Sequence, residues 1–286
     1  ENILHLAEDF EGVDGLDEPM PVKPGQHYEM GGIECDENGQ TCVDGLYAAG
    51  ECACVSLHGA NRLGGNALPE LLVFGARAGR HAAGGDLGEA RIETGPSARS
   101  QDGDIDSPVE LGAVGGEEAV ADGGAVAAGD VVEREVERQR ERVESMLESE
   151  GVNHATVRDE IQTTMTENVN VFRREDALKQ ALADIRAARE RYQHVAVADT
   201  SRTYNTDLLH TMETRNVIDL AEAITAGALA REEFRGAHWR EQYQFRDDEN
   251  WIRHTMYAWN DGDPDLYYKP VLLEAEREYE PKERSY

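Results

Sequence analysis

The chain has 286 residues, with 58 Asp plus Glu against 28 Lys plus Arg and a formal net charge of −30. A surface this negative repels phosphate backbones and anionic lipid, so the composition argues against nucleic-acid binding and against attachment to an anionic membrane surface. No apolar run is long enough for a transmembrane span. With 40% apolar residues the chain can still bury a core, and its length suits one or two domains. The acidic excess, with few Lys, also fits a high-salt cytoplasm, where dense carboxylates keep a protein hydrated.

Residue 1 is Glu, and Glu1-Asn2-Ile3 shows neither a basic nor an apolar leader, so no signal peptide is expected and the chain reads as a piece of something longer. Residues 1–30 are acidic and irregular, ending in Pro21-Val-Lys-Pro24-Gly25. Residues 31–84 are rich in Gly and apolar residues. Here Gly45-Leu-Tyr-Ala-Ala-Gly50-Glu51 reads as a short buried strand that ends in a tight turn, with a carboxylate placed to accept sugar hydroxyls. His58-Gly-Ala-Asn-Arg62-Leu-Gly-Gly-Asn66 then breaks into a helical pattern at Leu68, Leu71, Leu72 and Phe74. Free N–H groups at that helix start favour an anion or the negative charge of a reduced flavin, and Pro69 fits its first turn. Arg62 offers a planar fork suited to a carboxylate. Cys35, Cys42, Cys52 and Cys54 match neither a zinc pattern nor a plain disulfide framework. Cys52-Ala-Cys54 is expected to be a small buried pair, and no metal is expected.

Residues 85–128, including Gly115-Gly-Glu-Glu-Ala-Val-Ala-Asp-Gly-Gly124, hold too little apolar content for a core and read as an acidic linker or insertion. From 129 to 230 the period turns helical. Val132, Val136, Val143 and Leu147 form one stripe, closed by Gly151. Val157, Ile161 and Met165 form a second, and Leu178, Leu182, Ile185 and Tyr192 a third. Asn205 is the expected N-cap of a fourth, with Leu208, Met212, Leu220 and Ile224. Four such helices with short connections imply a small bundle. Residues 231–286 open on a basic and aromatic cluster: Arg231, Arg235, His238, Arg240, Arg246, Arg253 and His254 among Phe234, Trp239, Tyr243, Phe245 and Trp251. That cluster suits either a docking surface or an ion-pair network with Asp247, Asp248 and Glu249.

The ordered set His27-Tyr-Glu-Met-Gly-Gly32, Gly45-Leu-Tyr-Ala-Ala-Gly50-Glu51 and His58-Gly-Ala-Asn-Arg62-Leu-Gly-Gly-Asn66 closely resembles the flavoprotein subunit of succinate dehydrogenase and fumarate reductase. Arg235-Gly-Ala-His238 and Arg246-Asp-Asp-Glu-Asn-Trp251 continue the likeness, which covers most of the chain outside 85–128. The resemblance implies an α/β plus α fold: the C-terminal part of an FAD-binding domain (31–84) after the end of a capping domain (1–30), then a helical bundle domain (129–230) and a small C-terminal segment (231–286).

By position, the resemblance implies that His27 and Arg62 are catalytic and bind the dicarboxylate. It places Glu51 on the flavin ribityl or ribose region, and Ala67 and Leu68 against the flavin, although the family usually has Ser where this chain has Ala67. It implies FAD as cofactor, succinate and fumarate as substrates, an iron–sulfur subunit and, indirectly, membrane anchor subunits as partners. The resulting location is peripheral, on the cytoplasmic face of the cell membrane. The opening GxGxxG, the flavin-linking histidine and the proton-shuttling arginine of the family have no counterpart in these residues. L-aspartate oxidase shares the His and Arg positions. It usually carries Asn-Ser-Leu-Leu-Glu and lacks the Arg246–Trp251 tail, so this sequence is nearer to succinate dehydrogenase. A non-catalytic assembly fragment is the reading from a different class.

Overall fold

A computed structural model describes residues 2–22, 25–84, 128–260, 263–271 and 273. The expected linker at 85–128 lies outside the described residues, apart from its last position. The chain divides into two compact units, 1–94 and 95–286.

The first unit begins with helix α1 (Asn2–Glu11), where an irregular stretch was expected. Ile3, Leu6, Ala7 and Phe10 fall at helical spacing and make one apolar stripe, which the surrounding acidic residues disguise. Two-residue strands β1 (Ile33–Glu34) and β2 (Ala53–Cys54) pair in parallel. The strand expected over 45–49 is absent. Tyr47 makes one isolated bridge to Gln40, Leu46 is exposed, and the chain turns at Gly50 (φ +82°) before it pairs. Gly32 (φ +117°) is required, because a Cβ there would stand 2.4 Å from the Cys52 carbonyl oxygen.

Helix α2 (Ala67–Ala82) starts where the sequence places it. Its C-terminal half is pinned by Arg77, whose Nε donates to the Glu37 carbonyl (2.7 Å) and whose Nη2 donates to Asn38 Oδ1 (2.9 Å). Tyr47 and His81 share a hydrogen bond at 2.8 Å. The N-terminal half leaves Leu68, Leu72 and Val73 exposed. All four cysteines are free thiols, but the pair expected to be buried is not: Cys52 is exposed and Cys54 half-buried, while Cys42 is exposed and Cys35 half-buried. Burial, then the neighbouring thiols and acids, pushes the Cys35 thiol up to about 12, so it is not a thiolate at neutral pH.

The second unit is built on α3 (Ala128–Glu148), α4 (His154–Thr164), α5 (Glu175–Tyr192) and α6 (Thr206–Ala230). Its core follows the expected stripes at Val157, Ile161, Leu178, Leu182, Ile185 and Tyr192, all buried. A fully buried side chain of this size contributes roughly 2–3 kcal/mol. Asn205 does cap α6, its Oδ1 accepting the Leu208 N–H at 2.8 Å. Leu208, Met212 and Ile224 of the α6 stripe pack against the core, but Leu220 does not. Leu220 is 63% exposed, and Ile218, Ala221 and Glu222 face inward with Thr211, Thr214 and Thr225. Those buried hydroxyls donate to the carbonyl four residues back, at 2.7–2.8 Å, so they cost little inside. Buried threonines therefore carry part of a core face that a search for Leu and Ile overlooks.

Between α4 and α5 the chain makes a π-helical turn, Met165–Val169. Arg173 Nε donates to the carbonyls of Val169 (2.8 Å) and Asn170 (3.0 Å), satisfying oxygens that the irregular turn leaves over.

Strands β3 (Val152–Asn153) and β4 (Val195–Ala196) pair in parallel. They press Gly151 so close that a Cβ there would lie 1.9 Å from the His194 carbonyl oxygen. Gly151 is thus a packing requirement as well as a helix stop. Gly151→Ala is expected to destabilise this unit by about 3 kcal/mol through forced backbone separation. Urea unfolding checks it, followed by tryptophan fluorescence, since Trp239, Trp251 and Trp259 all lie in this unit.

The C-terminal segment contains a hairpin the sequence reading did not anticipate, β5 (Arg253–Asn260) and β6 (Asp263–Pro270) in antiparallel register. It meets the bundle where the Arg189 guanidinium lies 4.3 Å from the Trp259 ring centroid. Of the two meanings open for the basic cluster, the structure shows the ion-pair network. Arg231 and Arg235 converge on Glu233, Arg235 and Arg246 share Asp248, and buried Arg240 donates to the Leu229 carbonyl at 2.7 Å.

His238 sits inside this network as a neutral imidazole. Its Nε2–H donates to the Arg231 carbonyl (3.0 Å), and Nδ1 accepts from Arg173 Nη1 (3.1 Å). Burial first, then the charges of Arg173, Arg231 and Arg240, pushes it down to about 4, against a smaller upward effect of its bond to the Arg231 carbonyl. An unfolded histidine titrates near 6.5. Between pH 6.5 and 4 the unfolded chain therefore binds the extra proton. The contribution of His238 is complete above pH 6.5 and is lost as pH falls toward 4, about 3 kcal/mol in all. His238→Gln is expected to flatten that part of the stability–pH curve in denaturant titrations. An unchanged slope would assign the acid sensitivity to other groups.

Candidate functional site

The informative residues of the first unit gather around the extended segment 27–30, which leads into β1. Glu51, just past the Gly50 turn, is exposed and its Oε1 accepts the Glu29 N–H at 3.1 Å. That bond ties the expected ribose-region carboxylate to the backbone two residues from His27. His27 itself is exposed.

Arg62 is brought to the same segment. Its guanidinium lies over the Tyr28 ring, 4.6 Å from the centroid, and Nη1 donates to the Leu63 carbonyl at 3.2 Å. No carboxylate within 4 Å pairs with Arg62 among the described residues, and its buried Nε has no hydrogen-bond partner there. A guanidinium held by a ring face keeps its charge and donors for a ligand.

Three residues at this site were not singled out from the sequence: Tyr28, His58 and Glu70. Tyr28 Oη donates to Glu70 Oε2 at 3.0 Å, and the Tyr28 and His58 rings meet edge to face at 5.4 Å. His58 Nε2 stands 3.8 Å from Glu70 Oε2. Glu70 is only 3% exposed. Partial burial, then the hydrogen bond and charge of Glu70, pushes the Tyr28 phenol up to about 12, so it remains a donor. The signal for Glu70 was present as a lone carboxylate among Leu68, Leu71 and Leu72 in the first turn of α2, where the helix dipole favours an anion.

The start of α2 can receive a flavin. Asn66 makes no side-chain capping bond, so the first helical N–H groups, those of Ala67 and Leu68, are left without a side-chain acceptor. Gly64 and Gly65 border open space where a Cβ would meet nothing within 4 Å, and Leu68 is 70% exposed beside them. Bare glycines, uncapped donors and an exposed apolar side chain fit an isoalloxazine edge.

Residues 1–68 match the FAD binding domain family and residues 158–286 match the family described as fumarate reductase flavoprotein C-term. The fumarate reductase flavoprotein subunit of Haemophilus influenzae is 38% identical over 95% of this chain, which covers 40% of that protein. Over most of its length the chain is similar to the C-terminal portion of the succinate dehydrogenase/fumarate reductase flavoprotein family. The Mycobacterium tuberculosis fumarate reductase flavoprotein subunit is 38% identical over 99% of the chain and 43% of that protein. The succinate dehydrogenase flavoprotein subunit of Coxiella burnetii is 36% identical over 95% and 41%. Among solved structures, E. coli quinol fumarate reductase superposes with a TM-score of 0.76 at 34% identity, covering 95% of this chain and 41% of that one. The chain thus spans about two-fifths of the length of the relatives it matches. The expected fold, the end of an FAD-binding domain followed by a helical domain, is the one found.

Proposed function

We propose that this chain supplies the dicarboxylate clamp and the flavin-contacting helix of an FAD-dependent flavoprotein that interconverts succinate and fumarate. The reading is carried by the Arg62 guanidinium, laid over Tyr28 beside His27 at the mouth of the glycine loop that opens α2. The Arg62 fork binds one substrate carboxylate through paired N–H···O bonds, and His27 contacts the other. Clamping both ends fixes the C2–C3 bond in orientation and polarises it, which lowers the barrier. The backbone N–H groups of Ala67 and Leu68 face the flavin ring, and Glu51 accepts hydroxyls of its ribityl or ribose region. FAD, when bound, supplies hydride exchange at that carbon–carbon bond.

In this reading residues 1–30 close a capping domain, 31–84 complete the FAD-binding domain, 85–128 connect, 129–230 are the helical domain and 231–286 the basic end. The partners are an iron–sulfur protein subunit and, through it, membrane anchors that hold the complex on the inner face of the cell membrane. The place in metabolism is the succinate–fumarate step of the tricarboxylic acid cycle or its reverse. A full-length subunit carrying this segment is expected to bind flavin and to reduce a dye with succinate. Flavin reduction by aspartate without succinate turnover would install an aspartate oxidase instead, and a flavin-free protein would leave only a scaffold.

The −30 charge further suggests a halophilic source. Simple screening of surface repulsion is nearly complete by about 1 M salt. A protein built for brine is expected to keep gaining, by about 5 °C in Tm between about 1 and 3 M KCl, equivalent to roughly 1–2 kcal/mol. A flat or falling Tm over that interval makes it an ordinary acidic protein.

A further inference from the structure

We propose that Glu70 is the positioning residue of the Arg62 clamp, acting through Tyr28. The inference rests on the reading of Arg62 as the carboxylate-binding arginine. Several guanidinium groups among the described residues are oriented by acids: Arg231 and Arg235 by Glu233, and Arg189 by Glu222 and Asp219. Such pairing spends the positive charge inside the protein. Arg62 instead lies over the Tyr28 ring, with one donated bond to the Leu63 carbonyl and no ion pair within 4 Å among the described residues. Its orientation is therefore only as good as that of the ring beneath it.

That ring is fixed at its far end. Glu70 Oε2 accepts the Tyr28 hydroxyl at 3.0 Å, and the edge-to-face contact with His58 limits ring rotation. Glu70 is held in turn: it is buried, its N–H donates to the Asn66 carbonyl at 3.2 Å, and it lies in the first turn of α2. The helix start stabilises the carboxylate there. The Glu70 acceptor thus orients the arginine at one remove, across an uncharged phenol, without pairing with it. The same helical turn that offers Ala67 and Leu68 to the flavin sets the platform for the substrate arginine.

The test uses the full-length flavoprotein with Glu70→Leu, Glu70→Gln and Tyr28→Phe. Four quantities are read: flavin content, succinate KM, succinate kcat, and the Kd of malonate, a dicarboxylate lacking a CH2–CH2 bond to oxidise, from the shift of the flavin visible spectrum. Glu70→Leu and Tyr28→Phe are expected to raise malonate Kd and succinate KM together by about tenfold, the worth of a partly desolvated cation–π contact. Flavin content and kcat stay within about twofold. Glu70→Gln, which retains an acceptor for the Tyr28 hydroxyl, is expected to recover most of the affinity. Glu70→Leu protein with full flavin and unchanged malonate binding overturns the inference while the clamp reading stands. Loss of flavin or of folding in Glu70→Leu, with Glu70→Gln and Tyr28→Phe indistinguishable from wild type, overturns it as well, making Glu70 merely structural. A flavin-loaded wild type that neither binds malonate nor oxidises succinate removes the clamp reading, and this inference with it.

Discussion

Arg62→Ala is expected to lower kcat/KM for succinate by about a thousandfold, roughly 4 kcal/mol, in the full-length flavoprotein with its flavin content unchanged. The size follows from what the side chain leaves uncommitted. Its guanidinium lies over the Tyr28 ring, and among the described residues no acid pairs with it and its Nε has no hydrogen-bond partner. Removing it deprives one substrate carboxylate of a planar, two-point contact in a site that depends on orientation. Arg62→Lys is the sharper variant. It keeps a positive charge but neither the fork nor the flat face that rests on Tyr28, so it is expected to recover only part of the loss. Flavin-normalised steady-state kinetics decides the matter, and turnover of Arg62→Ala within a few-fold of wild type would place the clamp elsewhere.

The parts of this site that the sequence made legible are those in which chemistry and spacing coincide locally. Arg62 sits in a glycine loop immediately before an apolar helical run, and the helix does begin at Ala67. Asn205 stands ahead of a periodic segment, and it does cap α6. Tyr28 and Glu70 stayed invisible because their meaning is a contact across 42 positions. Glu233 stayed invisible for a similar reason, since attention went to Asp247, Asp248 and Glu249, and Asp247 turned out to accept from Glu249 and Asn250 as a local turn. The α6 face was misjudged at Leu220, where buried Thr does work usually assigned to aliphatic residues. The hairpin β5–β6 had a local signal in Asp261-Gly262, a dipeptide common in two-residue hairpin connections, but the basic and aromatic cluster was drawn only as far as His254, short of Tyr257, Trp259, Tyr267 and Tyr268.

Glu233→Ala is expected to destabilise the C-terminal unit by about 3–5 kcal/mol, the largest stability effect anticipated for a single residue here. The carboxylate is fully buried and accepts from five donors. Arg231 Nε reaches Oε1 at 2.9 Å and Arg235 Nε at 2.7 Å, with Arg231 Nη2 also on Oε1. Arg235 Nη2 and the Asp247 N–H reach Oε2 at 3.0 and 3.1 Å. The intact cluster adds little net stability, because desolvating three charges offsets most of their attraction. Removing the shared acid is different. Arg231, largely buried against the Trp251 and Arg253 carbonyls, would keep its charge without a counterion. The control is Arg246→Ala. Arg246 pairs with Asp248 at 2.7 Å at the protein surface, so its loss is expected to cost less than about 1 kcal/mol. Urea titrations read by tryptophan fluorescence report on this unit directly, with Trp251 next to the cluster. Equal costs for the two variants would mean that water reaches Glu233 and that the buried cluster does not hold the C-terminal segment to the bundle.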